Sequence, residues 1–132
     1  MMQIKASTNY AIRVLLFAAS HSNRLVQRKE IAVAYGISEN HLMKIVSSLK
    51  KNGFLETVQG RNGGLRSSKS PEDIHIGEVI MLFEDMVYLK SIEPISSDEN
   101  LPIQRNLDQV YLLFFKYLNF ITLNDMVKIE NR

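Results

Sequence analysis

The stretch RKEIAVAYGISENHLMKIVSSLKKNG, residues 28–53, leaves this chain few ways to fold. A short helical pattern ends at Gly36, the residue type best suited to a left-handed turn because it carries no Cβ. Ser38 follows as a preferred N-cap, and Glu39 stands in the first turn, where an acid meets the positive end of the helix dipole. Beyond it Leu42, Ile45, Val46 and Leu49 recur at i, i+3, i+4 and i+7, which predicts one buried face. Asn40, Lys44, Ser47 and Lys51 then fall on the opposite side, flanked by His41 and Ser48, and Gly53 ends the pattern. Ala32 is small where the two helices must cross closely. The pair is a helix-turn-helix.

Directly after it comes FLETVQGRNGGLRSS, residues 54–68. Two short apolar-bearing runs flank QGRNGG, whose glycines and asparagine are expected to supply the positive φ angles of a hairpin tip. A helix-turn-helix followed at once by a basic-tipped hairpin predicts a winged helix. Upstream, residues 7–21 read as a helix apolar almost all round, with only Asn9 and Arg13 on a polar stripe. Such a helix has to be covered on several sides.

Pro71 opens a second region. Ile76, Val79, Ile80 and Phe83 predict a helix over roughly 76–87, and a polar loop over 88–104 separates it from a long helix over 104–121. On that helix Leu107, Val110, Tyr111, Phe114, Leu118 and Ile121 form one stripe, and Leu113, Tyr117 and Phe120 form a second. Five of the chain's eleven aromatics lie between 111 and 120, more than docking one helix onto its own chain requires. Leu107, Tyr111, Phe114 and Leu118 are therefore expected at a homodimer seam, a symmetry that suits the reading of palindromic half-sites. Thr122 and Asp125 have the spacing of a capping box for a last short helix. The expected fold is mainly α: a winged helix-turn-helix over 1–70, with a small β-hairpin wing, and a helical dimerisation or sensor region over 71–132.

Charge divides along the same line. Residues 1–70 carry eleven Lys/Arg against three acids, a net of +8, whereas residues 71–132 carry five against eleven, a net of −6. A basic half joined to an acidic one points to a polyanion on one side only. Asn40 and His41 suit base edges, and Lys44, Ser47 and Lys51 extend the same face toward bases and phosphates. Arg61, beside Asn62 at the hairpin tip, suits a narrow minor groove. Arg28 and Lys29 sit at a helix N-terminus, where side chains and amides together hold phosphate. Double-stranded DNA is the expected partner.

Several function classes fall away. With no cysteine, the chain can form no disulfide, thiol nucleophile or thiolate-held metal. The three histidines, His21, His41 and His75, are far apart in sequence, and no nucleophile–base pattern or phosphate loop accompanies them, so no enzyme is expected. Arg13 interrupts the first apolar run, which argues against a signal peptide. No apolar segment reaches the roughly 20 residues of a membrane span. A cytoplasmic protein is expected. Glu93, Asp98 and Glu99 lack a metal-ligand spacing and read as solvated. Two other functions stay open: a regulator that senses a small molecule in a pocket near loop 88–104, and a winged helix that docks a protein.

Taken together, STNYAIRVLLFAA, the 30–80 region with NHLMKI and VQGRNGG, and ITLNDMV resemble the Rrf2 family of bacterial winged-helix regulators. The NHLMKI…VQGRNGG region looks closest to its NsrR branch. The resemblance implies a dimer crossed through the long C-terminal helix, binding to a palindrome, and usually repression. It also implies three loop cysteines holding an iron–sulfur cluster. The first two of those positions fall on or near Ser91 and Ser96, and the third near Pro102 to Gln104. The acidic ligand that relatives bring from the partner's first helix matches Asn9. A serine hydroxyl, with its high pKa, does not replace a thiolate at iron. No cofactor is expected. Relatives often carry Arg-Gly where this chain has Gln59-Gly60, which leaves Arg61 for the minor-groove role.

Overall fold

The computed structural model describes residues 3–84 and 102–130. The chain runs α1 (Ala6–Ser20), α2 (Arg28–Tyr35), α3 (Glu39–Lys51), β1 (Leu55–Val58), β2 (Gly64–Ser67), a 3-10 turn (Pro71–Asp73), α4 (Ile76–Phe83), α5 (Pro102–Phe120) and α6 (Leu123–Glu130). This is the mainly helical winged-helix order expected from the sequence.

The centre of the fold is α1. Ala11, Ile12, Val14, Leu15, Leu16 and Ala18 are all buried, as an almost all-apolar helix requires. It packs against α2, α3, β2, α4 and α6. Its one described polar stripe holds together, since Arg13 Nε donates to Asn9 Oδ1 at 2.6 Å. The buried cluster runs on without a break into Ile74, Ile76, Val79, Ile80 and Leu123, so the regions 1–70 and 71–132 share one core.

Gly36 makes the turn between α2 and α3 with φ 65°, ψ 37°, a left-handed conformation that costs a residue with a side chain about 1 kcal/mol or more. Ser38 Oγ accepts the His41 N–H at 3.2 Å as the N-cap of α3. Leu42, Ile45, Val46 and Leu49 all point inward. The wing pairs antiparallel from Leu55↔Ser67 to Val58↔Gly64. A third piece of backbone joins it: Val26 and Leu65 exchange N–H···O bonds of 2.8 and 2.7 Å. This single-residue pairing has no periodicity and left no trace in the sequence pattern.

The hairpin tip differs from expectation. Gly60 accepts from the Gly63 N–H at 3.0 Å, which makes Arg61 and Asn62 the central pair of a tight turn. Neither has positive φ, because Gly60 absorbs the left-handed step at φ 106°. A Cβ at Gly63 would run into the Val58 carbonyl oxygen, so glycine there is a matter of close approach.

Two helix ends also move. α4 stops at Phe83 rather than near 87, because Glu84 turns extended and its carboxylate reaches back to α1. There Glu84 Oε1 accepts the Lys5 N–H at 2.6 Å and the hydroxyl of fully buried Thr8 at 2.9 Å. It caps a helix that lacks a side-chain cap of its own. α5 begins at Pro102, two residues earlier than expected, since proline at a first helical position sacrifices no hydrogen bond. The rest of the expected loop 88–104, with Ser91 and Ser96, lies outside the described residues.

The far end of α5 is anchored against α4. His75 Nδ1 donates to the Asn119 carbonyl oxygen at 2.7 Å, and Ile76 N–H donates to Ile121 at 2.9 Å. Gly77 leaves room for the Asn119 side chain, which a Cβ would strike. The capping box of α6 is present, with Thr122 N–H on Asp125 Oδ2 at 3.0 Å and Asp125 N–H on Thr122 Oγ1 at 3.3 Å.

Along α5 the apolar side chains divide differently from the two stripes read in the sequence. Leu118 packs against the chain's own core, and Phe114 is half-buried in an edge-on contact with Phe115. The exposed row is instead Ile103, Val110, Leu113, Tyr117 and Phe120, with Tyr117 at 72% and Phe120 at 77% exposure. Tyr111 at 41% and Leu112 at 58% exposure stand on other faces of the helix, and the Leu107 side chain is outside the described residues.

Leu15 is fully buried at the centre of this packing. Leu15→Ala should cost about 2–5 kcal/mol, the range for a leucine truncated to leave a cavity. Chemical denaturation followed by circular dichroism checks this.

Candidate nucleic-acid interface

The buried quartet of α3 forces its other side outward. Asn40, Met43, Lys44, Ser47, Lys50 and Lys51 are exposed. Ser47 and Lys50 face the wing with Met43, and the three line a cleft of about 470 Å³ with Arg28, Gln59 and Arg61. Lys44 and Lys51 stand on the side of α3 away from that cleft. On the other side of the wing tip, Arg61 and Asn62 border a second shallow cleft with Arg24 and Gln27. The two clefts place Arg61 between them.

His41 sits differently from its neighbours. It is half-buried, and its ring meets Tyr10 of α1 edge-on at 5.1 Å. This contact orients the imidazole and holds the start of α3 against α1.

The basic side chains sort into two groups. Arg66 pairs with Glu56 at 3.0 Å across the wing, in the same register as their backbones. Arg24 pairs with Glu30 at 2.9 Å, Arg13 lies over the Tyr35 ring, and Lys69 lies over Phe54. These cations serve the fold. Among the described residues, no ion pair engages Arg28, Lys29, Lys44, Lys50, Lys51 or Arg61, and all six are exposed on α2, α3 or the wing tip. Most of the positive charge left over among the described residues therefore stands on the helix-turn-helix and wing, with Lys116 and Lys128 on the C-terminal helices.

Of the residues expected from the sequence, Arg28, Ser47 and Arg61 line the first cleft and Asn62 the second. Asn40, Lys44 and Lys51 are exposed outside both, and His41 is half-buried. Gln27, Met43 and Lys50 line the first cleft and were not expected there. Helical spacing gives the outward face of α3, but the cleft depends on which edge of that face the wing approaches. Glu30 was missed as well. It accepts the Gln27 N–H at 2.8 Å and so caps the start of α2 next to Arg28. The Arg24 guanidinium, then this backbone bond, hold its carboxyl below the ordinary value of 4.5.

A helix-turn-helix, a paired wing and unpaired cations on the same surface define a winged-helix DNA-binding protein. The chain belongs to the Rrf2 family, described as iron-dependent transcriptional regulators, which it matches over residues 4–129. It is 38% identical over 135 residues to the HTH-type transcriptional regulator NsrR of Bacillus subtilis, across 96% of this chain and 91% of that one. With the NsrR of Bacillus licheniformis it shares 53% identity over 85 residues, 64% of this chain and 59% of that protein. Among solved structures it is similar to T. potens IscR, with a TM-score of 0.78 and 26% identity over 98% of this chain and 88% of that one. It shares the fold of CymR from B. subtilis, with a TM-score of 0.79 at 24% identity and 98% coverage of both chains. The protein is a DNA-binding transcription regulator and not an enzyme. None of its described helices is long and apolar enough to cross a membrane.

The iron in the family description finds no fitting donor set. The chain has no cysteine, and among the described residues no three His, Asp or Glu side chains converge. A cluster held by thiolates has nothing to bind here.

If the leftover cations hold phosphate, Lys44→Ala should lower the slope of log K against log salt by about one unit. Arg66→Ala, whose charge is already paired with Glu56, should leave the slope nearly unchanged. Fluorescence anisotropy on duplex DNA at several salt concentrations compares them. The Glu30 contribution has a definite sign. Its folded pKa is depressed, so the stabilisation is present above pH 4.5 and is lost as pH falls through the lower folded value. Glu30→Gln should therefore flatten part of the fall in melting temperature below pH 4.5.

Proposed function

We propose that this protein is a cytoplasmic homodimeric repressor that reads a palindromic operator without an iron–sulfur cluster. The observation that carries the proposal is the gathering of unpaired Arg28, Lys44, Lys50, Lys51 and Arg61 around the outward face of α3 and the wing tip. In this reading α3 enters the major groove, with Asn40 and Ser47 at base edges and Lys44 and Lys51 on phosphates. His41, braced by Tyr10, guides the helix start to the groove wall. Arg61 and Asn62 carry the wing to the adjacent minor groove, and Arg28 holds backbone at the start of α2.

The dimer reading rests on α5. An exposed row of Ile103, Val110, Leu113, Tyr117 and Phe120 is a contiguous apolar strip of the kind that monomers seldom leave in water. A two-fold pairing of this strip would set two α3 helices against two half-sites, with Phe114 at its edge. The B. subtilis relative named NsrR, matched along 96% of this chain, supports a role in regulating transcription.

Three measurements test this. Selection of bound duplexes from a random pool should enrich a palindrome, and enrichment of a single asymmetric site would overturn the dimeric reading. In sedimentation velocity the native chain should run as a dimer, and a Leu113→Asp, Tyr117→Asp double variant as a folded monomer. A promoter carrying the enriched palindrome should fall silent when the protein is present, and a rise in output would replace repression with activation.

A further inference from the structure

Met43 is an apolar side chain on the polar face of α3. It is 49% exposed, one turn from Asn40 on one side and one turn from Ser47 on the other. It does not belong to the buried core of the chain. It lines the cleft that Arg28, Lys50 and Arg61 make basic, with Val58, 43% exposed, on the wing side of the same cleft. An apolar side chain between base-reading positions needs an apolar partner, and the major groove of DNA offers one: the C5 methyl of thymine. The thioether chain is unbranched and adaptable enough to meet it.

From this placement we infer that Met43 is a specificity-determining residue that selects a thymine in each half-site by contact with its methyl group. The inference rests on α3 lying in the major groove. Met43 stands early in α3, where the side chains of a recognition helix reach base edges. Val58 belongs to the wing and lies toward the sugar–phosphate strand between the two grooves, so it adds apolar contact without reading a base.

The test uses the full chain and the duplex enriched from a random pool. Each thymine in turn is replaced by uracil, which removes the methyl and leaves pairing unchanged. One position per half-site should weaken binding about fourfold, the effect of one buried methyl. Met43→Ala should bring thymine and uracil at that position to equal affinity while keeping the salt slope of the native protein. Met43→Leu should keep the discrimination and Met43→Gln should lose it, with melting temperatures confirming that each variant folds. Val58→Ala should weaken both duplexes alike.

Discrimination that survives in Met43→Ala, or an enriched duplex with no methyl-sensitive thymine, overturns the inference and leaves the α3 reading intact. A pool with no enriched duplex, or a Lys44→Ala protein with an unchanged salt slope, removes the α3 reading and this inference with it.

Discussion

A helix that is apolar on nearly every side cannot sit at a surface, and α1 imposes that condition on the whole chain. The turn pair α2–α3 covers one flank, β2 another, and α4 and α6 close the rest. Burial of Val14 and Leu15 is worth roughly 1.5–3 kcal/mol each, so the arrangement is held by area rather than by any single polar contact. Because the same helix touches both the winged helix-turn-helix and the C-terminal helices, the position of α3 is set from behind by a core that it shares with α4 and α6. His41 against Tyr10 adds a lateral brace at the N-terminal end of α3.

Electrostatics then divides labour among residues that look alike in sequence. Arg66 and Arg24 are tied to glutamates within hydrogen-bonding distance, and exposed pairs of this kind add little to stability. What they do is fix orientation: Arg66 locks the two strands in register, and Arg24 steadies the acid that caps α2. The net charge of the N-terminal half overstates what a polyanion meets, since Arg24 and Arg66, though exposed, already have a glutamate beside them.

Much of this was legible beforehand because it is local. The α3 quartet, the Ser38 cap, the Gly36 turn and the Thr122–Asp125 box are each specified within a few residues, and each is where the pattern put it. The parts that were not legible depend on distance or on ambiguity. Val26 pairs through one residue, and Glu84 caps a helix 76 positions away. On α5 nearly every face is apolar, so spacing could not tell which stripe packs inward, and Leu118, expected at the seam, is partly buried against the chain's own core. The edge of α3 that meets the wing, with Lys50 and Met43, follows from tertiary approach and has no signature in the periodicity of the helix itself.

The long reach of Glu84 has a consequence for synthesis. Thr8 leaves the ribosome early, and the carboxylate that takes its hydroxyl comes 76 residues later. At about 5–20 residues per second the first helix waits roughly 4–15 s for its cap, and longer for Leu123, which completes its cover. Throughout that interval α1 has only α2, α3 and β2 to cover it, and its other flank stays open. The nascent chain therefore passes through a stage in which its future centre is partly surface, and that stage ends only when the C-terminal helices arrive.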